Sequence, residues 1–301
     1  MTTTATTTAA AAASISHALE PNHLFSVQGI VAVITGGGTG IGLMMATALE
    51  NNGATVYIVG RRLSVLEKAA RERSRYGRMI PLQGDVTSRE SLQAVVKAVH
   101  TRSGYVNVLV NNAGIARGML PPTLNQTASP QDFREVYEAN VVGTYYATVA
   151  FLELLHLGNL SHTHRHPHQE QEVQLLEPPA VTSQVITLSS VAAFRRDERQ
   201  YSIPYTLSKV ANMHMGKIFA NMLRDWKIRS NIIAPGIFPS EMTAWAIPDS
   251  HAAHDVPLQR VGNIEDIAGL ILFLSSRAGS YVDGVVHIID GGRLTMFSST
   301  Y

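Results

Sequence analysis

From Ile30 onward, short runs of apolar and β-branched residues alternate with longer stretches where apolar residues recur every three or four positions. The first pattern occurs at Ile30–Thr35, Ala54–Val59, Met79–Gln83, Val106–Val110, Gln184–Leu188, Arg229–Ile233 and Val285–Ile289, and predicts strands. The second starts near Ile41, Leu63, Ser88, Asp132, Pro204 and Asn263, and predicts amphipathic helices. The strand runs are almost continuously apolar rather than alternating, which suits strands covered on both faces. Strand–helix alternation of this kind predicts an α/β fold: one doubly wound, seven-stranded parallel sheet with right-handed crossovers and helices on both faces. No internal repeat or linker interrupts the pattern, so one domain over residues 23–301 is expected.

Two segments break the rhythm. Met1–Ala13 is almost all Thr and Ala, lacks the features of a secretory signal or mitochondrial presequence, and reads with the rest of 1–22 as a disordered tail. Residues 156–182 are long and polar, which predicts an inserted surface loop. His162, His164, His166 and His168 alternate there, but Pro167 intervenes and no acidic or cysteine partner stands at ligand spacing; no metal site is assigned. No apolar run is read as long enough to span a membrane.

Composition narrows the function. With 301 residues, 45% hydrophobic and 16% charged, the chain has material for one large core. A formal charge of +1 gives no electrostatic footprint for nucleic acid or an anionic membrane. The absence of cysteine excludes a disulfide framework and a thiolate nucleophile, and fits a reducing, cytoplasmic setting.

The candidate chemistry lies at the strand ends. Gly36, Gly38, Gly40 and Gly42, with Thr39 and Ile41, follow the first strand and open a helix. Such a loop lets the backbone approach a pyrophosphate, which unpaired N–H groups at the helix start can bind. Far downstream, Tyr205 and Lys209 stand four apart on a predicted helix, so phenol and ammonium share a face. The ammonium is expected to lower the phenol pKa and ready it for proton exchange with a substrate oxygen.

With these residues in place, the chain resembles the short-chain dehydrogenase/reductases of the Thr-Gly-x3-Gly-x-Gly subgroup, from about Gly29 to Gly292. The motifs follow in the family's order: Asp85-Val86 after the third strand, Asn111-Asn112-Ala113-Gly114 after the fourth, then Asn140, Ser190, Tyr205, Lys209 and Pro235-Gly236. The resemblance implies a Rossmann-like fold and a nicotinamide cofactor. It implies that Tyr205 is the general acid and that Ser190 polarises the carbonyl. Lys209 would tune Tyr205 and bind the nicotinamide ribose, while Asn140 would hold a relay water. It also implies cofactor contacts from Asp85 and Val86, from Asn112, Ala113 and Gly114, and from Pro235, Gly236, Ile237 and Ser240, the last replacing the family's usual threonine. The spacing from Ser190 to Tyr205 is longer than usual for the family, with the extra length in the charged loop Phe194–Gln200.

Cofactor choice turns on the end of the second strand. An acid there would bind a ribose 2′-hydroxyl and repel a 2′-phosphate. Gly60 takes that place, followed by Arg61 and Arg62, whose guanidinium groups suit a phosphate and favour NADP(H). The expected activity is NADPH-dependent reduction of a ketone or oxoacyl group to a secondary alcohol. A cofactor-binding regulator and a reductase-derived cyclase or dehydratase remain the alternatives. Substrate choice is assigned to a lid at residues 241–256, where Met242, Trp245, Ala246 and Ile247 suggest an apolar substrate. The expected partners are a small-molecule substrate and further copies of the chain, as a homodimer or homotetramer. The interface would use the long helices Gln131–Leu157 and Pro204–Trp226 and the C-terminal strand, where Tyr145, Tyr146, Phe151, Phe219 and Met222 suit a partner as well as their own sheet.

Overall fold

Seven parallel strands form one sheet in the order β3-β2-β1-β4-β5-β6-β7. They are β1 (Val31–Thr35), β2 (Thr55–Gly60), β3 (Met79–Gln83), β4 (Val108–Asn111), β5 (Gln184–Leu188), β6 (Arg229–Pro235) and β7 (Val286–Ile289). This is the sheet expected from the sequence, with two strands reproduced to the residue and the others shifted by a few positions at their ends. The computed structural model describes residues 16, 19–118, 128–163, 181–197, 202–244 and 251–300.

Alternation along each strand divides the core between the two faces. Ala32 and Ile34 point to one side, where α1 (Gly40–Asn51), α2 (Leu63–Arg73) and α7 (Ile264–Ser275) pack with Met45, Leu49, Leu66, Ile271 and Leu274. Val31 and Val33 point to the other, covered by α3 (Arg89–Ser103), α5 (Gly143–Thr163) and α6 (Ile203–Met222) with Val99, Phe151, Leu155 and Phe219. Strand order reverses between β1 and β4, and an open α/β sheet places its ligand cleft at such a point, beyond the carboxyl ends of the strands.

Two local expectations are corrected and one open alternative is resolved. Helix α5 runs to Thr163, well into the stretch expected to be a loop; residues 164–180 lie outside the described residues, as do the side chains of His162 and of the alternating histidines that follow. Of the residues suited to either a partner or the sheet, Phe151 and Phe219 are buried in the chain's own core, whereas Tyr145 and Met222 are exposed. By length and hydropathy alone, the continuous helical run Pro130–Ser161 is apolar enough to cross a membrane, against the expectation that no segment is. Within this domain 44% of its most apolar window is buried, and a core helix on a sheet passes the same test.

Candidate active site

The glycine loop is built on a hub at Thr35. Its hydroxyl accepts from the backbone N–H of both Asn112 and Ala113, 3.1 Å each, and donates to the Val110 carbonyl. Asn112 Nδ2 returns to the carbonyls of Thr35 and Gly36, at 2.9 and 3.0 Å. The ends of β1 and β4 are thereby locked together. Gly36 takes φ +65°, a left-handed conformation that glycine adopts without strain. A Cβ at Gly42 would collide with Asn112 Nδ2 and the Gly36 carbonyl. Beyond the loop, Thr39 caps α1 with no side-chain hydrogen bond, and the first turn of α1 carries no acid.

This loop forms one wall of a cavity of about 560 Å³. Gly36, Gly38, Thr39, Gly40, Ile41 and Gly42 line it, with Arg61 and Arg62 at one end. Asp85, Val86, Asn112, Ala113, Gly114, Pro235, Gly236 and Ser240 also line it. Ser190, Tyr205 and Lys209 reach its far end. A glycine cradle, open helix N–H groups and a basic end together fit a dinucleotide: pyrophosphate on the α1 N-terminus, ribose near Arg61–Arg62. Of the residues expected there, Ile237 and Asn140 are not on the wall. The Ile237 carbonyl instead accepts from the Gly262 N–H.

Asn140 is fully buried in a π-helical turn, Glu138–Val142, between α4 (Pro130–Tyr137) and α5, rather than within a regular long helix. Such turns often sit at functional sites. Its Oδ1 accepts from the Ile115 N–H at 2.8 Å, and its Nδ2 donates to the Ile115 carbonyl and to Ser208 Oγ. Ser208 in turn donates to the Tyr205 carbonyl. The side chain therefore clamps the segment after β4 to the helix bearing Tyr205. A Cβ at Gly114 would lie 3.2 Å from Asn140 Oδ1 and 3.5 Å from Lys209 Nζ, so the three groups converge.

The electrostatics differ from the expectation for Tyr205. Burial pushes its phenol up to about 12, against the opposing hydrogen bond from Ser190. Lys209 Nζ donates to the Leu188 carbonyl at 2.8 Å and lies 5.6 Å from the Tyr205 ring centroid. Its own pKa is pushed down to about 8 by burial. Desolvation thus outweighs any ammonium effect on the phenol, and Tyr205 stays protonated at neutral pH. Ser190 lies just past β5, and its Oγ also accepts from the Ala192 N–H.

Several contributors were not singled out from sequence. Ser202 caps α6 and its hydroxyl donates to the Arg117 carbonyl. Thr243 hydrogen-bonds Ser240 at 2.9 Å, and Glu241 pairs with Arg62. Ser208 lies between Tyr205 and Lys209, and Glu241 directly follows Ser240, but their partners Asn140 and Arg62 are distant in sequence; Thr243 pairs locally. Trp245, Ala246 and Ile247 of the expected lid, and residues 198–200 of the charged loop, lie outside the described residues.

A family model described as short chain dehydrogenase matches residues 30–161. A second, described as Enoyl-(Acyl carrier protein) reductase, matches residues 170–293. Short-chain dehydrogenase/reductase PhomF of Diaporthe leptostromiformis is 43% identical, covering 96% of this chain and 99% of the relative. The chain belongs to the short-chain dehydrogenase/reductase family. It is therefore placed among oxidoreductases that use a nicotinamide cofactor. Another family member, the rhamnolipids biosynthesis 3-oxoacyl-[acyl-carrier-protein] reductase of Pseudomonas aeruginosa, is 31% identical, covering 89% of this chain and 97% of the relative. The solved Pseudomonas aeruginosa RhlG/NADP active-site complex superposes with a TM-score of 0.76 at 29% identity, covering 90% of this chain and 98% of that one.

Proposed function

We propose that the protein is a cytoplasmic NADPH-dependent reductase that converts a ketone or oxoacyl group to a secondary alcohol. The observation that carries this reading is the meeting of Ser190, Tyr205 and Lys209 at one end of a glycine-cradled cleft. Bound there, the nicotinamide supplies the hydride. Tyr205 is the proton donor: a phenol held near 12 is fully protonated at neutral pH and gives its proton as negative charge grows on the substrate oxygen. Ser190, hydrogen-bonded to that phenol, holds the same oxygen and stabilises the developing charge. Lys209 binds the nicotinamide ribose and, as an ammonium below about pH 8, adds positive charge beside the proton donor. Asn140 positions the pair by fixing α6 against the segment after β4.

Support for NADPH comes from Gly60 and the Arg61–Arg62 pair at the cleft's basic end, and from the likeness to the solved RhlG/NADP complex. The 3-oxoacyl substrate in the name of the Pseudomonas aeruginosa relative favours the oxoacyl class. A homodimer or homotetramer is part of the reading, supported by the exposed apolar positions Tyr145, Val149 and Met222 on α5 and α6. Light scattering at micromolar concentration should show a dimer or larger; a monomer alone would overturn that part.

The activity is tested by following NADPH and NADH oxidation against a panel of ketones and 3-oxoacyl thioesters. Ketone-dependent NADPH oxidation, with NADH clearly poorer, is expected. Arg61→Ala should weaken NADPH by about 1.5–3 kcal/mol, the scale of a hydrogen bond to a charged group, and leave NADH nearly unchanged. A protein that binds both cofactors equally well refutes the cofactor assignment. One that binds NADPH but reduces nothing on the panel supports a regulator on this fold.

A further inference from the structure

Arg62 and Glu241 both line the cleft but come from different parts of the chain, Arg62 from the end of β2 and Glu241 from the turn after β6. Arg62 Nη2 donates to both carboxylate oxygens of Glu241, at 2.8 and 3.1 Å. The turn that carries Glu241 is internally fastened. Thr243 Oγ1 donates to the Phe238 carbonyl and accepts from the Ser240 N–H, and the Thr243 N–H closes back onto the Ser240 carbonyl at 3.1 Å. It is also seated on the glycine loop, because a Cβ at Gly40 would stand 2.9 Å from Ser240 Cβ. The carboxylate is thus held at the cleft wall by a fixed turn.

β2 ends in Gly60 without an acid, yet an acid stands at the same end of the cleft, supplied by the opposite wall. We propose that Glu241 is a specificity-determining residue for the cofactor, its carboxylate competing with a 2′-phosphate for the Arg62 guanidinium. This rests on the reading that Arg61 and Arg62 receive the 2′-phosphate. A dianion entering beside Glu241 meets repulsion as well as the two guanidinium groups, whereas a 2′-hydroxyl meets a hydrogen-bond acceptor. Glu241 therefore narrows the preference for the phosphorylated cofactor. Both side chains are more than half exposed, so the effect is screened by salt.

The test uses adenosine 2′,5′-bisphosphate and 5′-AMP, neither of which carries a nicotinamide, with binding read by isothermal titration calorimetry. The proteins are the wild type, Glu241→Gln, Arg62→Ala and the double variant, each full length. At low salt, Glu241→Gln should tighten the bisphosphate by about three- to tenfold and leave 5′-AMP within about twofold, the size of a solvent-screened charge interaction. The gain should shrink at high salt and be clearly smaller in the Arg62→Ala background, where only direct repulsion remains. Equal gains for both ligands, or an undiminished gain without Arg62, would overturn the proposal. If the wild type binds the two ligands equally, the 2′-phosphate reading falls and this inference with it. If the wild type prefers the bisphosphate and Glu241→Gln leaves that margin unchanged, only this inference falls.

Discussion

Asn140→Ala separates two roles for one residue. As a water holder alone, its amide could be removed with loss of rate and little loss of stability. The geometry assigns the amide three hydrogen bonds: from the Ile115 N–H, to the Ile115 carbonyl and to Ser208 Oγ. Truncation leaves all three partners without it in a part-buried setting. At about 1 kcal/mol for each bond, more where a backbone group stays dry, the loss is about 2–4 kcal/mol. For a domain of this size that corresponds to a fall in Tm of about 3–8 °C. Ser208→Ala removes its own bond to the Tyr205 carbonyl together with one of these bonds and should cost about 1–2 kcal/mol. Since the two residues share that bond, the double variant should be less destabilised than the sum of the singles. Thermal unfolding of the cofactor-free proteins, followed by circular dichroism, reads all of this without turnover. An Asn140→Ala protein melting within about 1 °C of wild type would refute the clamp.

Tyr205→Phe should lower kcat by about 10²–10⁴-fold, the usual weight of general acid catalysis, with NADPH affinity nearly intact; reduction at the wild-type rate would remove Tyr205 from the mechanism. Lys209, pushed down to about 8, is charged below that pH and loses its proton as pH rises through it, so NADPH binding should weaken across that range; Lys209→Met should abolish the dependence, and an unchanged pH profile would exclude the ammonium from cofactor binding. Glu50 is fully buried; burial raises its pKa, but hydrogen bonds from Ser74 Oγ and the N–H groups of Arg75, Arg78 and Tyr76 together hold it below the usual value. Because its folded-state pKa is depressed, its stabilisation is present above the ordinary glutamate pKa of about 4.3 and is lost as pH falls. Glu50→Gln should therefore lower stability at neutral pH by about 2–4 kcal/mol and flatten the acid limb of the unfolding curve, as measured by urea titration.

Much of this architecture was legible because it repeats a simple rule. Strands buried on both faces read as unbroken apolar runs, and Val31 to Ile34 show why: successive side chains feed the two opposite cores. The glycine loop was legible for a related reason. Gly36 and Gly42 meet backbone and Asn112 so closely that a larger side chain would collide, and the constraint appears in sequence as the missing side chain itself. The order Asn112, Asn140, Ser190, Tyr205, Lys209 then marked the cleft, because each lies at or beyond the carboxyl end of a strand or in a helix that follows one.

What stayed hidden depends on contacts between distant residues and on local dielectric. A phenol and an ammonium four residues apart suggest mutual attraction, but helix spacing carries no information on burial. Both groups are dry, Lys209 directs a proton to the Leu188 carbonyl, and the phenol moves up rather than down. The sequence also presents Arg61 and Arg62 as an equivalent pair, since nothing nearby distinguishes them. Only the fold brings Glu241, after β6, onto Arg62 after β2. A basic dipeptide thus becomes one arginine held by a carboxylate and another that forms no ion pair among the described residues. On the proposal made for Glu241, cofactor choice in this chain depends on the wall opposite β2 as well as on β2 itself.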